Sequence, residues 1–312
     1  MRLPATVREE VEDGLEDRGR GGITSVSAVS GGCINHGCRL DTVDGGSFFL
    51  KWNADAPEGM FAAEVEGLEA LRAAASDVEE AWRPVVPEPL DRSAPGAPVA
   101  WLLMSWIPGA PPAADSEERL GRGLARIHGG IGPPGVPTRK AETFGWHRDN
   151  WIGSLPQSNR RHDAWATFWR DERIVPQLER ARDRGHLHDP ILDRLVEVVP
   201  SALEDVDTPE LLHGDLWSGN RFVTRGGAGA LVDPAVYRGD GEVDLAMTEL
   251  FGGFGADFYA AYRDARGVSP AYESHRRDLY QLYYLLVHVN LFGSSYAPRA
   301  LQAARSTVAA LR

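Results

Sequence analysis

The stretch Leu211-Leu212-His213-Gly214-Asp215-Leu216-Trp217-Ser218-Gly219-Asn220 carries the heaviest signal in this chain. A short apolar run leads into His-Gly-Asp, and an asparagine follows five residues after the aspartate. Phosphoryl transfer to a hydroxyl asks for two groups on one rigid loop. One is an acid that orients the hydroxyl and takes its proton; the other is a side-chain carbonyl that reaches a magnesium ion on the phosphates. Asp215 and Asn220 have that spacing. The plain alternative is an ordinary turn with a histidine ahead of Gly-Asp.

Working outward, Ala230-Leu231-Val232-Asp233-Pro234 puts an acid at the end of an apolar strand. Taken alone, Asp233 is a residue closing a strand before proline. Thirteen residues after Asn220, it reads as the second magnesium ligand. Upstream, Lys51 lies in Phe48-Phe49-Leu50-Lys51-Trp52 and is one of only two lysines, the other being Lys140. A buried lysine needs a carboxylate partner, and Glu64 or Glu66 on the following helix can supply it. Strand alternation puts Phe48 and Leu50 on one face and Phe49 and Lys51 on the other, so it does not decide whether Lys51 faces inward. The order decides more: a glycine loop between strands, a strand with lysine, then a helix with glutamate is the order of a kinase N-terminal lobe. The glycine loop is Ser30-Gly31-Gly32-Cys33-Ile34-Asn35, in which Gly31, Gly32 and Cys33 would bring backbone amides close to phosphate oxygens. A hairpin that binds no nucleotide is the alternative there.

The apolar periodicity predicts a helix over 4–19, strands over 23–29, 38–43 and 47–52 with a turn at Asp44-Gly45-Gly46, a helix over 57–75 and a buried strand over 99–107. Beyond it, helices are expected at 116–129, 162–184, 190–204, 244–265 and 271–292, with two short strands flanking 211–224 and 229–233. The fold class is therefore α+β and two-lobed: a small β-rich N-terminal lobe over 1–104, a hinge over 105–109, and a larger helical lobe over 110–312.

At 312 residues and 43% hydrophobic, the chain can fill such a core. A formal charge of −12 argues against a nucleic-acid partner and requires any phosphate site to be locally positive. Two cysteines, Cys33 and Cys38, are too few for a disulfide framework and fit a reducing, cytoplasmic setting. The first 22 residues are acidic without an apolar core, so no signal peptide is expected. The run from Leu279 to Phe292 is shorter than the roughly 20 apolar residues a membrane span needs, so no membrane partner is expected.

Five segments together resemble the fructosamine/ketosamine kinase family, relatives of aminoglycoside and choline kinases with a protein-kinase-like fold: LLHGDLWSGN (211–220), DPAVY (233–237), DLAMTELFGGF (244–254), GGCIN (31–35) and FGWHRDNWIGSLPQSN (144–159). The resemblance runs from about residue 24 to 297. It implies ATP- and Mg2+-dependent phosphorylation of the 3-hydroxyl of a ketosamine, free or as a glycated lysine, as a step in protein deglycation. Carried over residue by residue, it makes Asp215 the catalytic base, Asn220 and Asp233 the magnesium ligands, and Lys51 with Glu64 the phosphate anchor. The choice of Glu64 over Glu66 follows the family's Glu-x-x-Gly-Leu pattern, matched by Glu64 to Leu68. Met104, Ser105, Trp106 and Ile107 become the hinge that hydrogen-bonds adenine. Asp149, Asn150, Gln157 and Asn159 read as substrate-side, against a loop held by its own Asx turns, and Trp217 as stacking on the sugar or packing the lobe. Asp244 is expected to brace the catalytic loop from below, helped by Glu249. Where the family has Trp near 161 and Tyr and Arg after DPAVY, this chain has Arg161, Arg238 and Gly241, which puts the acceptor in question. Two other functions stay open: a kinase for an aminoglycoside or amino alcohol, and an ATP-binding pseudokinase. Cys33, inside the phosphate loop, is either a small filler or an oxidisable thiol able to link two copies, so monomer and homodimer are both open.

Overall fold

The computed structural model of the protein describes residues 3–29, 34–129 and 143–312. Gly31, Gly32 and Cys33 lie outside the described residues.

Helix α1 (Ala5–Asp17) starts after Pro4 and buries Val7, Val11 and Leu15, one side chain per turn. Strands β1 (Ile23–Ala28), β2 (His36–Thr42) and β3 (Ser47–Asn53) follow. The Asp44-Gly45-Gly46 turn closes the β2–β3 hairpin, with Gly45 at φ 82°. Next come α2 (Met60–Ser76), β4 (Pro89–Arg92) and β5 (Ala100–Ser105). The five strands form one antiparallel sheet in the order β1-β2-β3-β5-β4, so β3 is its centre. Both faces of β3 are used. Phe48, Leu50 and Trp52 pack with Trp101 and Leu103 of β5 under Val7, Val11 and Leu15 of α1. The opposite face points Phe49 and Lys51 toward the cleft. The helix on one side explains why the strand reads as almost continuously apolar around a single lysine.

The helical part begins with α3 (Ser116–Ile127). After it come a small hairpin, β6 (Asn150–Ile152) and β7 (Leu155–Gln157), and α4 (Trp165–Phe168), which runs through π-helical turns at Trp169–Ile174 into α5 (Val175–Asp183). Then come α6 (Ile191–Ala202), β8 (Glu210–Leu212), β9 (Arg221–Val223), β10 (Gly229–Leu231) and β11 (Tyr237–Gly239). The chain ends with α7 (Glu242–Leu250), α8 (Ala256–Arg266), α9 (Arg277–Phe292) and α10 (Ala297–Ala310). Two short antiparallel pairs, β8 with β11 and β9 with β10, frame the loop 213–220. The single helix expected over 244–265 is two helices, because Gly252, Gly253 and Gly255 interrupt it and the first two sit at φ 72° and 92°. Helix α10 is absent from the expectations; its buried face is mostly alanine, Ala300, Ala303 and Ala304 with Thr307 and Val308.

The two parts share a core. Phe61, Leu68 and Leu71 of α2 belong to the same cluster as Leu124, Leu212, Val236 and Leu286. Val85 pairs with Ala230 of β10, and Gly109 with Thr224. Among the described residues, no helix is long and apolar enough to cross a membrane.

Leu15 is fully buried between α1 and the sheet. Leu15→Ala is expected to cost about 2–5 kcal/mol and to lower the thermal midpoint by several degrees. An unchanged midpoint would show that α1 does not support the sheet.

Candidate active site

The loop 213–220 leaves β8 through Gly214, whose φ is 80°. A Cβ there would lie 2.1 Å from the carbonyl oxygen of Ala235, so only glycine fits. Asp244, at the start of α7, holds the loop from beneath. Its carboxylate accepts from the backbone N–H of His213 (2.7 Å) and of Gly214 (2.8 Å) and from His128 Nε2 (3.0 Å). Burial opposes its ionisation, but the hydrogen bond and charge of His128, with His213 and the Gly214 amide, outweigh it and hold the carboxyl below its ordinary value. From the other side, the Tyr284 hydroxyl donates to the Gly214 carbonyl at 2.9 Å. His213 donates from Nε2 to the Val232 carbonyl (2.9 Å), while its Nδ1 accepts the Asp215 N–H at 3.3 Å. Burial keeps that imidazole neutral.

This scaffold presents Asp215 to the cleft. Asn220 Nδ2 donates to the Asp215 backbone carbonyl (2.9 Å) and to its carboxylate (3.2 Å). Burial, with the nearby charge of Asp233 adding to it, pushes the Asp215 carboxyl up to about 7. Asp233 has φ 55°, an uncommon conformation for a residue with a side chain, which turns its carboxylate toward β3. There Lys51 Nζ lies 2.9 Å from Asp233 Oδ1 and 2.9 and 3.0 Å from the two oxygens of Glu64. Burial works against the Lys51 charge, but Asp233 and Glu64 outweigh it and the ammonium is held well above its ordinary value. Helix α2 comes this close because Gly67 has no side chain. A Cβ at Gly67 would sit 3.1 Å from Val236 and 3.3 Å from Pro234. The Glu-x-x-Gly-Leu pattern thus sets both a partner for Lys51 and the approach that delivers it.

Lys51, Glu64, Asp215, Asn220 and Asp233 line one cavity of about 570 Å³, along with Asn150 and Trp217. Trp217 packs locally, its ring covering Gly219, where a Cβ would approach to 2.3 Å, and it also lines the cavity. The other three residues read as substrate-side are placed elsewhere. Gln157 and Asn159 are buried, and Asp149 is exposed on the surface. Gln157 and Asn159 both donate to Asn150 Oδ1 (2.7 and 2.9 Å), and Asn150 donates to the Val236 carbonyl at 2.8 Å. Tyr283 donates to Gln157, Arg173 donates to Asn159, and Asp149 accepts the Asn159 N–H. These amides pair with one another and brace the backbone just beyond Asp233.

The proposed adenine hinge does not line the cavity directly. Met104 is buried on β5, and Ser105 exchanges hydrogen bonds with Glu88. Trp106 stacks on Phe49 with ring centroids 6.4 Å apart, and Phe49 lines the cavity. Ile107 is half-buried. Glu249 does not assist Asp244; it accepts from the Tyr272 hydroxyl and lies 3.6 Å from Arg277. Nor do Arg161, Arg238 or Gly241 line the cleft. Gly241 packs against Glu210 and His128, and Arg238 lies over Trp146. Sequence reasoning missed His128 and Tyr284, because a histidine ending one helix and a tyrosine inside an apolar helix carry no local mark of what they touch.

A two-part architecture with an acid and an amide on one braced loop, and a lysine–glutamate pair opposite, defines a phosphotransferase of the protein-kinase-like class. The model of the fructosamine kinase family matches residues 9–310, and the chain belongs to that family. A protein of Synechocystis named as a probable ketoamine kinase is 42% identical over 278 residues, covering 88% of this chain and 87% of the relative. A chloroplastic protein-ribulosamine 3-kinase of Arabidopsis thaliana is 36% identical, covering 89% of this chain and 81% of the relative. The crystal structure of a candidate fructosamine-3-kinase from Thermobifida fusca superposes with a TM-score of 0.80 at 30% identity, covering 95% and 97% of the two chains. An aminoglycoside phosphotransferase shares the fold at a TM-score of 0.62 and 18% identity, covering 97% and 99%. Membership of this kinase family implies ATP as the phosphoryl donor.

Gly214→Ala forces a side chain into the Ala235 carbonyl. It is expected to lower kcat by about 100-fold, the scale of an ångström's misplacement of a reacting group. Near-normal turnover in that variant would mean that the loop does not depend on this contact.

Proposed function

We propose that this chain transfers the γ-phosphoryl group of ATP to the 3-hydroxyl of a ketosamine. The observation that carries this reading is the convergence of Asp215, Asn220, Asp233 and the Lys51–Glu64 pair on one cavity. The relatives named as ketoamine and ribulosamine kinases support the acceptor class. The intact set of charged groups speaks against a pseudokinase.

The residues present fit magnesium. Glu64, Asp215 and Asp233 bring three carboxyl groups to a cavity with one ammonium, Lys51. The Asp215 carboxyl is pushed up by burial and, next, by the charge of Asp233. Magnesium favours oxygen ligands from one or two carboxylates together with phosphates. Asp233 would hold it through its part-exposed carboxylate, and Asn220 through Oδ1, since Nδ2 is engaged with Asp215. When bound, MgATP supplies the phosphoryl group and offsets charge on the phosphates.

The chain's own residues do the rest. Asp215, titrating near neutrality, is matched to receive a proton at working pH. It takes that proton from the sugar hydroxyl as the hydroxyl oxygen bonds to phosphorus and the bond from phosphorus to the bridging oxygen breaks. Asn220 fixes the carboxylate's orientation. Lys51, held by Glu64, keeps a positive charge where the phosphates lie.

Asp215→Asn is expected to lower kcat by about 10²–10⁴, the usual scale for losing a general base, read as ketosamine-dependent ADP release. Turnover within a few-fold of the parent would refute its role. Asp233→Asn is expected to raise the magnesium concentration for half-maximal rate by about tenfold or more, as a lost carboxylate ligand should. An unchanged magnesium dependence would remove Asp233 from the metal site.

A further inference from the structure

The cavity has two chemically distinct ends. Its acids, Glu64, Asp215 and Asp233, gather with Lys51 at the phosphate end. The other end is built by α9, the residue closing α7 and the turn before α10: Phe251, Val287, His288, Leu291, Phe292 and Tyr296. Among the described residues, no carboxylate lines that end, in a chain of net charge −12.

The wall is aromatic and partly bare. The His288 ring centres a cluster, with centroids 4.8 Å from Phe251, 5.5 Å from Phe292 and 5.0 Å from Tyr296. Phe292 is 51% exposed and Phe251 36%, two of the four large hydrophobic residues that the described surface leaves exposed. His288 Nδ1 lies 2.7 Å from the Tyr284 carbonyl, which can only accept, so Nδ1 carries the proton. Burial, the largest influence on it, holds the imidazole below its ordinary pKa, so the ring stays neutral. The Arg299 guanidinium lies 5.7 Å from the Phe251 ring centre, and its charge acts on His288 as well. A second positive charge on the ligand would find no carboxylate here and would face that arginine. A flat or apolar group would cover exposed ring area.

On the reading that this chain is a ketosamine kinase, we propose that the wall of Phe251, His288, Phe292 and Tyr296 receives the amine half of the acceptor and selects an apolar or aromatic substituent carrying no second positive charge. The favoured acceptors are then low-molecular-weight ketosamines of such amines, ahead of adducts on diamines. The sugar half lies toward Asp215 and Trp217, and the nitrogen substituent lies along α9. The same feature separates this cleft from one built for a polycation, which would need carboxylates on that wall.

The test holds the sugar constant and varies the amine: ribulose adducts of methylamine, benzylamine and 1,4-diaminobutane, with kcat/KM read from ADP release. The expected order places benzylamine about tenfold above methylamine, the scale of burying one ring face, with the diamine adduct lowest. Phe292→Ala is expected to raise KM for the benzylamine adduct about tenfold more than for the methylamine adduct, while kcat ratios change little. Phe292 is half exposed, so the variant should fold, and its thermal midpoint checks this. A second variant, Phe292→Asp, is expected to improve the diamine adduct relative to the benzylamine one. Equal kcat/KM across the three adducts, or a preference for the diamine in the parent, overturns the amine subsite and leaves the kinase assignment standing. Failure to phosphorylate any of the three overturns the kinase assignment, and this proposal with it.

Discussion

Lys51 sits on the central strand of the N-terminal sheet, and its ammonium reaches Glu64 on α2 and Asp233 beyond β10 at once. That side chain is only 5% exposed. Removing one partner from a buried ion pair typically costs about 3–5 kcal/mol, because the remaining charge is left without compensation. Lys51 and Glu64, 13 residues apart, must therefore meet Asp233, 182 residues beyond Lys51, at one point. The constraint propagates outward. Helix α1 must cover the far face of β3, Gly67 must let α2 approach, and Asp233 must take its left-handed conformation. The loop 213–220 is then fixed relative to that point by Asp244, itself held by His128, and by Tyr284; the bonds of Asp244 and Tyr284 occupy the amides and a carbonyl of its first two residues.

A chain this acidic must still hold a polyphosphate. In the function proposed, Lys51 and a magnesium site would offset the phosphates at one end of the cleft, while the described residues of the other end carry no carboxylate. The division matches the two reactants: a highly charged donor at one end, and at the other an acceptor whose reacting group is a neutral hydroxyl. The acceptor end differs in kind from its surroundings, an aromatic face on a strongly negative protein.

The parts that were legible in the sequence are those whose chemistry requires a fixed spacing along one segment. Asp215 and Asn220 lie on one loop and had to be five residues apart. Lys51 was visible from its place in the order of glycine loop, lysine strand and glutamate helix, while the choice of Glu64 over Glu66 came from the resemblance to the family's Glu-x-x-Gly-Leu pattern. The β-turn at Asp44-Gly45-Gly46 and four of the five N-terminal strands followed from turn chemistry and apolar runs, while β4 lay hidden in a proline-rich passage. What was not legible depends on contacts between distant segments. Gln157 and Asn159 have polar side chains in a motif shared with relatives, which suggested substrate contact; the partners that bury them, Tyr283 and Arg173, lie 126 and 14 residues away. Glu249 pairs with Tyr272, 23 residues away, instead of the loop. The acceptor wall was hidden in an apolar helix whose periodicity announces only that it is packed.

If Asp215 faces the 3-hydroxyl of the sugar, the position of the phosphate on the product reports it. Incubation of the purified protein with MgATP and a 13C-labelled ribulosamine, followed by phosphorus and carbon NMR, reports which oxygen carries the phosphate. A single product with phosphorus coupled to C3 is expected, formed in step with ADP release and formed at least about 100-fold more slowly by Asp215→Asn. Phosphate on another hydroxyl, or ADP release with no phosphorylated sugar, would contradict it.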